Sequence, residues 1–153
     1  MKNKKKILLL TFLFNFLLID NALSNEDKYI LTLKYNEVNV RQGPSFEYPV
    51  KFIYKKKYLP VKIIDSKDNF RKIMDLKNNS GWIHKTQLSK KKAAINIYDL
   101  SIAYKKPNIY SQPLAKIEKD KLVYIKKCKK EWCKVLIKSN QYWIQKKFLW
   151  GKF

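Results

Sequence analysis

The scarce residues in this chain narrow its function more than the abundant ones. Its 153 residues include two cysteines, one histidine and three glycines. Tetrahedral zinc needs four ligands, and a C-x4-C pair with one distant histidine falls short. No metal and no cofactor are expected. The 12 acidic residues are scattered singly, so paired-carboxylate hydrolysis of glycans has no residues to use. No serine sits in a nucleophile elbow, and no free cysteine or orienting carboxylate accompanies His84. The chain reads as a non-enzyme. With 3 glycines and 5 prolines it is no low-complexity linker either.

Charge of one sign is the obvious excess: 34 cations against 12 acids, a net +22. Such a balance ordinarily points to nucleic acid, a lipid surface or another polyanion. Two observations argue against a dedicated site of that kind. Arg41 and Arg71 are the sole arginines, so the side chain suited to bidentate phosphate contact is nearly missing. The lysines also spread along the whole chain, as general compositional drift would leave them. Runs such as Lys55-Lys56-Lys57 and Lys126-Lys127 read as solvated loop faces. No nucleic acid is expected as a partner, and any membrane-surface attraction is weak and screened by salt.

The first residues read as an address. Lys2, Lys4, Lys5 and Lys6 precede an apolar run from Ile7 to Ile19, and Ala22-Leu23-Ser24 supplies small residues at −3 and −1. A basic head, a short apolar run and a small-residue site make a secretory signal peptide over residues 1–24, cleaved between Ser24 and Asn25. The run is short of the ~20 residues that span a bilayer; the alternative is an uncleaved N-terminal anchor. The expected location is periplasmic or secreted, away from cytoplasmic nucleic acid.

Beyond that segment, hydrophobic residues at 46% and aromatics at 14% suffice for real cores. Short alternating runs of four to six residues recur at roughly ten-residue spacing, which is the pattern of a small all-β barrel or sandwich. Val38 and Val40 point to one face, Asn39 and Arg41 to the other. Gly43 and Pro44 then end the strand. Lys85–Leu88 suits one 3₁₀ turn. The plan repeats at an offset of about sixty residues. Trp82-Ile83-His84-Lys85 answers Trp143-Ile144-Gln145-Lys146, and Phe70-Arg71-Lys72-Ile73 answers Trp132-Cys133-Lys134-Val135. The expected domains are 28–90 and 93–153, joined at Lys90-Lys91-Lys92 and packed against one another.

The stretch NVRQGPSFEYPV (39–50), followed by GWIHKTQLS (81–89), resembles the bacterial SH3-like domain, in particular the tandem type of exported alphaproteobacterial proteins. CKKEWCKV (128–135) with YWIQKKFLWG (142–151) looks like its second repeat. That repeat is degenerate, because Tyr104-Lys105-Lys106-Pro107 lacks residues matching Arg41 and Gly43. The resemblance implies two SH3-like barrels of five or six strands and, as in several relatives, binding of cell-wall peptides. Partners would be a peptidoglycan peptide or an envelope protein, met by a monomer. The alternative is a structural protein–protein interaction module of an envelope complex.

Cys128 and Cys133 are an even pair in an exported chain, which favours a disulfide. A hairpin of Val123–Cys128 with Trp132–Ile137 sets them opposite each other. Closing so short a loop contributes roughly 2 kcal/mol. The ligand-binding candidates are Arg41, Tyr48, Tyr54, Trp82 and His84. Tyr48 lies on a turn, where exposure and function concur, and the resemblance places the binding groove beside it. A solvent-open trough of Tyr48, Tyr54 and Trp82 would carry binding, whereas rings stacked inward would be core, as aromatics of so small a module usually are. Arg41 suits a ligand carboxylate, and at least as well a structural pairing with a nearby Asp or Glu. His84 suits ligand contact, or the plainer place of a half-buried strand residue.

Overall fold

A computed structural model describes residues 29–153. The expected signal peptide and the expected cleavage point after Ser24 lie outside the described residues. The rest is all-β, with two single-turn 3₁₀ helices and no α-helix among the described residues. The first half contains β1 (Ile30–Leu33), β2 (Val38–Arg41), β3 (Val50–Tyr54), β4 (Pro60–Lys67), β5 (Phe70–Met74), β6 (Ser80–His84) and β7 (Leu88–Ser89). The second contains β8 (Ala93–Asn96), β9 (Leu100–Tyr104), β10 (Pro113–Glu118), β11 (Leu122–Lys129), β12 (Trp132–Ile137), β13 (Asn140–Gln145) and β14 (Leu149–Gly151).

Each half is one antiparallel sheet, ordered β3-β2-β6-β5-β4-β1-β7 and β10-β9-β13-β12-β11-β8-β14. Strand for strand the two orders are the same, so the duplication seen in sequence is a duplication of fold. Seven strands rather than five or six appear because the chain after each 3₁₀ turn (Lys85–Gln87, Lys146–Phe148) adds a short closing strand, β7 or β14. Matching details recur. A register shift interrupts β4–β5 between Ile63 and Asp65, and β11–β12 between Ile125 and Lys127. Two-residue turns close both hairpins, with Asp68 at φ 49° and Lys130 at φ 50°.

Period-two alternation drives each sheet to bury one face. Leu33, Val38, Val40, Val61, Ile63, Ile73 and Ile83 meet in the first core. They come from five strands of one sheet, so the sheet must curl around them. Ala94, Ala103, Ile117, Val123, Ile125, Val135, Ile144 and Leu149, with Cys133, do the same in the second. Burying each large aliphatic side chain stabilises by about 2 kcal/mol, which makes these few residues decisive for modules so small. Gly81 is needed where β6 passes β2: a Cβ there would collide with Val40 and come within 2.9 Å of the Arg41 carbonyl.

The halves touch. Thr32, fully buried, points its Oγ1 at the carbonyls of Ser89 (3.2 Å) and Lys91 (2.9 Å) and so holds the linking segment. Lys152 Nζ donates to the Ile30 carbonyl at 3.3 Å. The rings of Tyr58 and Tyr124 meet edge to face at 5.8 Å.

Candidate functional site

The outer face of the first sheet is where the candidate residues gather. In β6, Gly81 and Ile83 turn inward, so Ser80, Trp82 and His84 point out. Pairing puts Arg41 of β2 opposite Trp82 on one side and Lys72 of β5 opposite it on the other. An indole thus stands in a row between two cations. Around it opens a cleft of about 400 Å³, lined by Arg41, Gln42, Lys51, Lys72, Ser80, Gly81 and Trp82. Lys51 reaches it from β3 and donates to the Ser80 carbonyl at 3.1 Å. No acidic side chain is among the lining residues, so the cleft favours an anion.

The turn after β2 forms the wall beside this cleft. Arg41 Nη1 donates to the carbonyls of Phe46 (3.1 Å) and Tyr48 (2.8 Å), and Gln42 N–H donates to the Pro49 carbonyl at 3.1 Å. The Tyr48 ring lies on Gly43, where any Cβ would run into it. That contact explains the glycine. Phe46, 62% exposed, folds back over Phe70, which is only 6% exposed although it faces outward. The two rings meet at 5.1 Å edge to face, and the guanidinium of Arg41 lies 5.5 Å from the Phe46 centroid. Arg41 therefore pairs structurally, with carbonyls rather than with a carboxylate. Both of those bonds leave from Nη1, and Arg41 also lines the cleft.

His84 belongs to this wall. Its ring packs 5.2 Å from both Phe46 and Phe70. Nδ1 caps the following 3₁₀ turn, lying 2.8 Å from Thr86 Oγ1 and 3.4 Å from Thr86 N. With Nδ1 accepting from the backbone, the proton of the neutral ring belongs on Nε2. Packing and capping thus give this histidine a structural place beside the cleft.

Tyr54 departs from the expected trough. It pairs with Val38 and shares the inward side with Phe52, whose ring it meets at 5.2 Å. Its hydroxyl donates to Asp75 Oδ2 at 2.9 Å. Burial first, then that hydrogen bond and the charge of Asp75, push the phenol well above its ordinary range. Tyr48, Tyr54 and Trp82 therefore do not line a common trough, because β3 turns Tyr54 to the face opposite Trp82. Lys51 and Lys72 line the cleft as well, though the sequence singled out neither. Their signal was available in the alternation, which sets Lys72 in step with Trp82 once β5 and β6 are paired.

The second module keeps the scaffold and changes the site. Trp143 stands where Trp82 does, opposite Lys134 and Tyr104, so a tyrosine replaces Arg41. Tyr104 packs edge to face on Trp132 at 5.5 Å. The turn at 105–112 instead satisfies itself: Lys106 N–H donates to Ser111 Oγ and Tyr110 N–H to Asn108 Oδ1. Tyr110 is left 90% exposed. Cys128 and Cys133 form a disulfide, paired directly across β11–β12.

A family model for the bacterial SH3 domain matches residues 34–90 and again residues 98–151. This chain is a member of the bacterial SH3 domain family. Bacterial SH3 domains are generally binding modules. The disulfide fits the oxidising surroundings of an extracellular or periplasmic bacterial SH3 protein. No curated protein matches the chain. Among solved structures it is similar to NlpC2 from Trichomonas vaginalis, at 14% identity and TM-score 0.38, covering 84% of this chain and 50% of that one. NlpC1 from the same organism aligns at 14% and 0.38, covering 86% and 48%. An NlpC/P60 family protein from Bacillus cereus ATCC 10987 aligns at 12% and 0.36, covering 80% and 56%. The chain spans about half the length of these proteins. Overlap of this degree decides neither activity nor partner.

Proposed function

We propose that this bacterial SH3 protein is exported and non-catalytic, and that it binds cell-wall peptide through the outer cleft of its first module. One observation carries the reading: Arg41, Lys51 and Lys72 surround Trp82 with no acid among the lining residues. A peptide bearing carboxylates would gain charge-assisted hydrogen bonds there, which are roughly twice as strong as neutral ones. The indole offers area for a flat peptide group to lie on. Phe46, Tyr48 and His84 serve as the wall that holds the turn in place, and Arg41 joins wall to cleft. The second module, with Tyr104 in the arginine's position, contributes little to the same ligand.

Incubation of the protein with purified peptidoglycan sacculi tests this. Retention at low and moderate salt is expected, with a clear loss in Trp82→Ala and in Lys72→Gln but not in Trp143→Ala. Wild-type protein that stays in the supernatant would overturn the wall as ligand. A second reading, interaction with an envelope protein, draws on the outer face of the second module. There Leu100, Ile102 and Leu114 are all exposed, at the sites where the first module carries Glu37, Asn39 and Lys51. Co-purification of one protein partner, without affinity for sacculi, would favour it.

A further inference from the structure

We propose that the seam between the two modules is a separate binding site, for a small zwitterion such as a free amino acid or a short unblocked peptide. A cleft of about 240 Å³ opens there, lined by Lys56, Leu59, Asp75, Leu76 and Lys77 of the first module and by Ile95 and Asp120 of the second. Drug-sized ligands occupy about 300–1,000 Å³, so this cleft suits something smaller. Its walls are chiefly Leu59, Leu76 and Ile95, which would cover a short aliphatic body.

Charge decides the ligand class. Asp75 frames the cleft but is already committed. Its Oδ1 accepts from the Lys77 and Asn79 backbone N–H groups, and its Oδ2 from Tyr54 and from the Asn79 side chain. Asp120 is different. Acids are outnumbered almost threefold in this chain, yet the ion pair formed among the described residues is Lys119–Asp99. Asp120 thus faces the cleft from one module without closing onto Lys56 or Lys77 of the other. An ammonium against Asp120 and a carboxylate against the two lysines would bridge that gap. The left-handed backbone of Asp120 (φ 61°) and its N–H bond to the Asn96 carbonyl at 2.9 Å fix where the acid stands. The contacts of Thr32 and Lys152 across the junction fix the spacing of the walls.

The test is a titration of the ¹⁵N-labelled protein with alanyl-alanine, N-acetyl-alanyl-alanine and alanyl-alanine amide, read by amide chemical shifts. Saturable shifts at Leu76, Lys77, Ile95 and Asp120 are expected for the zwitterion. Each blocked analogue should bind at least about tenfold more weakly, because a charge-assisted bond is worth that much. Asp120→Asn keeps a residue that tolerates the left-handed backbone. It should weaken the zwitterion by a similar factor while leaving the N-acetyl analogue unchanged. Leu76→Trp, which fills the cleft, should abolish the shifts. The inference falls if no saturable shift appears up to about 10 mM. It also falls if the blocked analogues bind as well as the zwitterion, or if the shifts are confined to Arg41 and Trp82. Shifts confined to Arg41 and Trp82 would instead support the outer cleft as the peptide site, so failure of the seam and failure of the outer cleft are read separately.

Discussion

One buried position separates the two modules more sharply than any loop. Leu33 ends β1 and Asn96 ends β8, and both are fully buried. Their backbones do the same work. Leu33 N–H donates to the Leu59 carbonyl and its carbonyl accepts from Tyr58, while Asn96 N–H donates to Lys121 and its carbonyl accepts from Asp120. The side chains differ completely. Leu33 joins the apolar core. Asn96 donates from Nδ2 towards the carbonyls of Tyr98, Ile117 and Glu118 at 2.9–3.0 Å and accepts from Ser101 Oγ at 2.7 Å. A buried amide is tolerated only when its groups are paired, and here they are. The second module therefore holds its turns with a polar hub where the first relies on apolar packing. The hairpins diverge in the same spirit. Ser66 lies opposite Arg71 where Cys128 lies opposite Cys133. Arg71 Nη1 braces its turn through the Asp68 and Phe70 carbonyls, and the disulfide does so covalently.

Exchanging the two solutions should break them unequally. Leu33→Asn carries the largest expected effect, a loss of about 4 kcal/mol, since it removes apolar burial and buries an amide without partners. Asn96→Leu should cost about 2 kcal/mol by stranding Ser101 and the turn carbonyls. Urea unfolding of both variants measures this, and an Asn96→Leu protein as stable as wild type would refute the hub. Reduction of Cys128–Cys133, or the double change to serine, should cost about 2 kcal/mol. The loss should appear as early exchange of amides in β11 and β12, with β4 and β5 unaffected.

The smallest effect belongs to Tyr54, whose partner Asp75 has no counterpart opposite Ile117. Tyr54→Phe should cost about 1 kcal/mol at neutral pH. The wild type should also show an alkaline limb that the variant lacks. The folded phenol is held above the unfolded value of 10.0. Once pH passes that value, the unfolded chain releases a proton that the folded one keeps. Stability is then complete below it and falls as pH rises, until the folded phenol ionises. Unfolding free energy from neutral to strongly alkaline pH, compared between the two proteins, checks the sign.

Much of this was legible beforehand, and for a common reason. Alternation such as Val38-Asn39-Val40-Arg41, the Trp-Ile strands and the spacing of two cysteines around one hairpin are short-range patterns. Local sterics and period-two geometry translate them directly into strands, turns and a disulfide. The site was legible in part. Arg41 and Trp82 line the outer cleft, while Tyr48 and His84 pack in and beside the 42–49 turn next to it. Phe46 gave no sign that it would cover an outward-facing Phe70, because that depends on how the 42–49 turn folds back across strands distant in sequence.

From the residues alone follow two all-β modules of one plan, each with its tryptophan strand, because side-chain alternation and turn chemistry act over a few residues. Only the tertiary structure decided that Tyr54 would turn away from Trp82, that Asn96 would become a hub, and that Asp120 would face Leu76 and Lys77 across a seam. Those placements depend on register shifts and on contacts between segments tens of residues apart, where one displaced residue sends a side chain to the opposite face.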